Sequence, residues 1–145
     1  MEEEVAMPMD TAEWRSLVAK QNADLGVFSE LIACAKLAQA GYAVSRALNG
    51  TQSGYDIIID DGHRLMRCQV KTVARNGRQV SIGRTRKRWI AGSPVLSSVP
   101  KYSSGDFDIL VAVNRNTLAV HCILSEAIDF SKTDVPLSTN VLFSL

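Results

Sequence analysis

Two stretches separated by a single turn constrain this chain most: Tyr55-Asp-Ile-Ile-Ile-Asp60 and the run from Arg64 to Thr72, joined through Asp61-Gly62. The first is dominated by β-branched residues, and Asp-Gly is a strong hairpin signal, because both central turn positions need positive φ. In the returning run Leu65, Arg67, Gln69 and Lys71 alternate with Met66, Cys68, Val70 and Thr72. The two sets therefore point to opposite faces of a sheet. If Ile59 to Asp61 pairs around the turn with Arg64 and Leu65, Asp56 falls roughly opposite Gln69. The hairpin then has one mostly apolar face and one that brings together a carboxylate, an amide and an ammonium.

The rest of the chain supplies the context. Residues 1–9 carry three Glu and no pattern and read as a solvated, flexible tail, so that 10–145 forms a single domain. Asp10 and Glu13 have the spacing of a capping box for a short helix burying Trp14, Leu17 and Val18. A second helix is predicted over 24–40, its buried face marked by Leu25, Phe28, Ile32, Ala35 and Ala38, with Gly41 as its stop. Strands are expected at 42–46, 55–60, 64–72, 79–82, 108–113 and 118–123, with a turn-rich loop at 49–54 and tight turns at 75–78 and 114–116. From Gly83 to Gly105 the pattern is irregular, no helix is visible before the 108–113 strand, and the end from Asp129 is weakly patterned. The order predicts an α+β domain: a mixed central sheet with N-terminal helices packed on it.

A 145-residue chain with 46% hydrophobic residues can bury a real core. No apolar run approaches the ~18 residues of a membrane span, and Met-Glu-Glu-Glu has the wrong charge for a secretory or transit leader. Cytoplasm is the expected compartment. Cys34, Cys68 and Cys122 lack zinc-ligand spacing and read as small buried thiols. Net charge is only +1, yet the segment from Arg64 to Lys101 holds ten Lys and Arg and no acid. Such a block makes a local positive surface of the kind that phosphate binding needs. Arg75, Arg78, Arg84, Arg86, Lys87 and Arg88 are the candidate nucleic-acid contacts, against the plainer reading of a solvated loop. Asp60 and Asp61 read as turn residues, Asp106 and Asp108 as strand-start residues, and His63 and His121 as structural. No recognition-helix or finger pattern for reading bases is visible.

If the longer helix packs on the hairpin, Glu30 can join Asp56, Gln69 and Lys71. Two carboxylates and an amide oxygen suit a hard divalent cation, and a lysine beside them suits charge building on a phosphate. The run Glu30…Ala35-Lys-Leu…Gly41-Tyr-Ala-Val, then Gly54-Tyr-Asp-Ile-Ile-Ile-Asp, then Cys68-Gln-Val-Lys-Thr, resembles the PD-(D/E)XK nuclease superfamily over roughly residues 24 to 124. The resemblance is closest to the branch of homing endonucleases and archaeal Holliday junction resolvases. It implies a restriction-endonuclease-like fold and a metal-dependent DNA endonuclease using magnesium, with manganese able to substitute. Glu30, Asp56 and Lys71 match the family's helix acid, strand aspartate and lysine, while Gln69 stands where an acid is usual. The metal ligands implied are Asp56, Gln69 and Glu30. Duplex or branched DNA and a second copy of the chain, in a homodimer or higher homo-oligomer, are the implied partners. No membrane and no small-molecule cofactor are expected. Two other readings stay open: an inactive nuclease fold that binds nucleic acid or a protein, and an accessory subunit of a larger nuclease.

Overall fold

The computed structural model describes residues 11–46, 54–100, 102–138 and 141–145. The tail 1–9, the Asp10 cap and most of the 49–54 loop lie outside the described residues. So, among others, do the side chains of Trp14 and Val18 and those of 84–89.

The two expected helices are one. Helix α1 runs unbroken over Thr11–Gln39. Asp24 resembles an N-cap, but neither Pro nor Gly lies between it and the preceding turn, so the backbone ladder has no reason to stop. The buried face also differs from the predicted one. Ser29, Ala33 and Leu37 are buried, whereas Phe28, Ala35, Ala38 and Leu17 are exposed. Small side chains let the helix lie close on the sheet, which the larger Phe28 does not. Gly41, at φ 103°, ends the helix as expected. Its N–H reaches Ala38 O and that of Tyr42 reaches Leu37 O, the paired bonds of a left-handed C-terminal cap.

The main sheet has six strands in the order β1-β2-β3-β7-β8-β10: β1 (Ala43–Arg46), β2 (Ile57–Asp60), β3 (Leu65–Thr72), β7 (Ile109–Val113), β8 (Val120–Leu124) and β10 (Val141–Ser144). Strands β3 and β7 are parallel and the other pairings antiparallel, so the sheet is mixed. Asp108 sets the parallel register. Its N–H donates to Arg67 O, and its carboxylate accepts from the Arg67 N–H at 2.8 Å. The β2–β3 turn is closed by acids as expected: Gly62 N–H donates to Asp60, and those of His63 and Arg64 to Asp61.

Two cores lie on opposite sides of this sheet. Under α1, Ala33 and Leu37 meet Ile57, Ile59, Met66, Cys68, Val70 and Val111. Beneath the other face Leu110 and Ile123 pack with Ile82, Tyr102, Phe107, Ile128 and Val135. Burial pushes the thiols of Cys68 and Cys122 up to about 12, so both stay protonated.

The segment expected to be irregular is a ribbon. Strands β5 (Gly83–Ile90) and β6 (Ser93–Pro100) pair residue for residue around Ala91-Gly92, with φ of 51° and 79°. Positive φ at both positions is what a type I′ hairpin turn requires. The ribbon is a two-stranded sheet separate from the main one, and a strand pair outside a layered sheet is under no requirement to alternate apolar and polar residues. Near the C-terminus, β9 (Asp134–Pro136) pairs with β4 (Gln79–Ser81). No helix among the described residues is long and apolar enough to cross a membrane.

Candidate active site

The site grows from the β2–β3 register. Ile57 pairs with Cys68, and the ladder continues one residue further, where the Asp56 N–H donates to Cys68 O at 2.8 Å. Asp56 is thus level with Gln69. Its Oδ2 accepts from Gln69 Nε2 at 2.8 Å and from the Val70 N–H at 2.9 Å. Strand β2 begins one residue later, so this carboxylate serves donors of β3 that lie beyond the first β2 residue, Ile57. Gln69 is 5% exposed and, with Ser29, one of two buried polar side chains among the described residues. Its Nε2 also lies 3.4 Å from Val70 O, so the amide meets Asp56 nitrogen-first.

Lys71 follows on the same face, two residues along. Its Nζ sits 5.2 Å from the centre of the Tyr102 ring. Tyr102 is buried and packs edge-on to Phe107, ring centres 5.7 Å apart. Burial, then the charges of Asp56 and Asp106, push its phenol up to about 12, so the hydroxyl keeps its proton. Asp106 closes the turn behind Tyr102, its carboxylate accepting from the Ser103 N–H at 2.9 Å. It also lies against Gly54, where a Cβ would stand 2.6 Å from Asp106 Cβ. Glycine is therefore the residue that lets the turn at 103–106 dock beside the start of β2.

Glu30 is placed differently. The hydroxyls of Ser29 and Thr72 share a 2.5 Å hydrogen bond that pins α1 to the Lys71 end of β3. The Glu30 carboxylate is held by Arg46 of β1 at 2.6 Å. Helix α1 covers the face of Cys68 and Val70, while Asp56, Gln69 and Lys71 belong to the other. The structure thus brings Asp56 and Gln69 into contact with Lys71 alongside, and holds Glu30 on the helix side. No group of three or more His, Cys, Asp or Glu that could hold a metal occurs among the described residues. With glutamine at 69, the carboxylate that the hairpin sets against this residue is that of Asp56.

Arg75 and Arg78 are exposed on the β3–β4 turn. Arg84, Arg86 and Arg88 occupy alternate positions of β5, opposite Val99, Ser97 and Val95 of β6. Two further residues border the site without any sequence signal to mark them. Tyr102 lies in a stretch with no periodicity. Arg115, with Asn22, Ser29, Lys71 and Thr72, lines a cavity of about 310 Å³ between α1 and the end of β3.

Comparison with known proteins agrees with this fold. A bacterial homing endonuclease of known structure, I-Ssp6803I, matches with a TM-score of 0.57 at 21% identity, over 77% of this chain and 74% of that one. A likeness at that identity speaks for the fold, an α+β, restriction-endonuclease-like arrangement. No match was found among curated proteins. The sequence profile of the PD-(D/E)XK endonucleases matches residues 18–137, most of the chain and all of the site just described. The chain belongs to the PD-(D/E)XK endonuclease family.

Proposed function

We propose that this protein is a metal-dependent DNA endonuclease whose working groups are Asp56, Gln69, Lys71 and Glu30. The observation that carries the reading is the Asp56–Gln69 contact at 2.8 Å, with Lys71 two residues further on the same strand face. Asp56 and Gln69 offer hard oxygen donors, which fit magnesium or manganese. Few protein donors also suit magnesium, which keeps several waters and takes phosphate oxygens as ligands. When bound, such an ion polarises the scissile phosphate and lowers the pKa of a water. Gln69 reaches it by turning its amide oxygen inward, a rotation about a soft terminal torsion. Glu30 joins by leaving Arg46. Lys71 sets a fixed positive charge beside the phosphate as negative charge builds there. Arg75, Arg78 and the basic strand β5 grip the DNA backbone. A symmetric homodimer extends that grip along the duplex, and cleavage at a specific site is the finer reading that I-Ssp6803I suggests.

One feature favours a second reading. Gln69 presents nitrogen rather than oxygen to Asp56, which suits a nuclease fold that binds DNA without cutting it. Plasmid and branched DNA incubated with magnesium, manganese or EDTA separates the two. Metal-dependent cleavage that EDTA and Lys71→Ala abolish supports the enzyme. Wild-type protein that binds DNA as tightly as Lys71→Ala does and never cuts refutes it.

A further inference from the structure

We infer that Tyr102 is a positioning residue for Lys71, holding its ammonium at the Asp56–Gln69 face; this rests on the nuclease role proposed for Lys71. A lysine side chain is a flexible four-carbon stem with a compact charge at its end. On an open sheet face it would sample many rotamers, and work at a phosphate needs one of them. The face of an aromatic ring attracts a cation within about 6 Å of its centre, more strongly where water is excluded. Lys71 Nζ meets that condition at 5.2 Å, over a ring that is only 8% exposed.

The ring is itself held in place. Its edge packs on Phe107, and Ile82 and Leu110 share its core cluster. Tyr102 and Phe107 flank the turn at 103–106, which is fixed by Asp106 N–H to Ser103 O and by Ser103 N–H to the Asp106 carboxylate. Gly54 then seats that turn against the start of β2. The floor under Lys71 is thereby tied to the segment that carries Asp56. Tyr102 also follows closely on β6 and packs with Ile82 just before β5, so both ends of the basic ribbon converge on the residue beneath the lysine.

The test uses the full-length protein with Tyr102→Phe, Tyr102→Leu and a series of fluorinated phenylalanines at 102. Fluorination drains the ring face of negative charge at nearly constant size, which separates cation attraction from packing. Phe keeps the ring face without the hydroxyl and is the reference for the fluorinated series. Leu is expected to lose about 5- to 30-fold in single-turnover cleavage, and the fluorinated series to decline in step with the number of fluorines. Affinity for duplex DNA under non-cleaving calcium conditions should stay within about twofold throughout. NMR of 13C-labelled lysine should show the Lys71 ε-methylene protons shifted upfield by the ring in wild type and Phe, and not in Leu. Unchanged cleavage in Leu, a flat fluorination series, or no ring shift in the wild type would overturn the inference. If the wild type cuts no DNA, the nuclease reading falls by itself, and the ring shift still decides whether Tyr102 places Lys71.

Discussion

Replacing Asp56 separates its structural from its chemical role, because the bonds it accepts from Gln69 and Val70 use the same oxygen. Oδ2 accepts from Gln69 Nε2 and from the Val70 N–H, at 2.8 and 2.9 Å. Asp56→Ala removes that oxygen and leaves two donors of buried residues, Gln69 and Val70, without it. A hydrogen bond to a charged acceptor is worth about 1.5–3 kcal/mol. Asp56 itself is only half-buried, so water can enter and recover part of the loss. The expected destabilisation is about 2–4 kcal/mol. Asp56→Asn can place its amide oxygen where Oδ2 stood and keep both bonds while losing their charge assistance. It should cost about 1 kcal/mol. Both variants lose the anionic oxygens that a cation requires, so cleavage should fall to background in each. Urea denaturation followed by tryptophan fluorescence and circular dichroism gives the stabilities, and a magnesium-dependent plasmid assay gives the activity. Equal stability of the Ala and Asn variants would refute the assignment of Asp56 as acceptor for these two donors. An active Asn variant would remove Asp56 from the chemistry.

Gly54→Ala drives a Cβ to 2.6 Å from Asp106 Cβ, so backbone must move; a loss of about 1–3 kcal/mol in urea unfolding is expected, together with slower cleavage as the Tyr102 turn shifts from Asp56. Burial tends to raise the Asp108 pKa, but the Arg67 N–H and guanidinium, with the Arg64 charge, together hold it below the ordinary 3.8. A carboxylate whose folded pKa is lowered contributes stability that is present above its unfolded value and lost as pH falls through the folded one. Stability of the wild type should therefore fall more steeply below pH 3.8 than that of Asp108→Asn, as measured by acid titration of the unfolding midpoint. Replacing Arg84, Arg86, Lys87 and Arg88 together by Ala should weaken binding to all duplexes alike. It should also flatten the slope of log affinity against log salt by about 0.9 for each phosphate that the ribbon no longer neutralises; an unchanged slope would remove the ribbon from the DNA interface.

The hairpin at the heart of this protein is settled by its local sequence. Asp61-Gly62 fixes the turn, and with a side-chain period of two the turn fixes which residues share a face. That Asp56, Gln69 and Lys71 share a face is local, within 17 residues. The level pairing of Asp56 with Gln69, however, comes from a register, Asp60 with Leu65, that is two residues longer than a two-residue Asp-Gly turn gives. The Gly41 stop is legible for the same reason, since its requirement for positive φ is local. What depends on distant partners is not. Which stripe of the N-terminal helix is buried is decided by how closely Ser29 and Ala33 can approach the sheet. Glu30 can be placed on a helix from sequence, but its bond to Arg46 arises only when β1 is laid down at the edge of the sheet. The ribbon pairs outside the main sheet, so its strands carry no periodic trace that the main sheet would impose. Tyr102 lies 31 residues beyond Lys71 in a stretch without pattern, and only the parallel pairing of β3 with β7 brings its ring beneath the lysine. Turn chemistry and alternation thus specify the pair of strands that carries the site, and tertiary packing decides what surrounds the pair and holds its lysine in place.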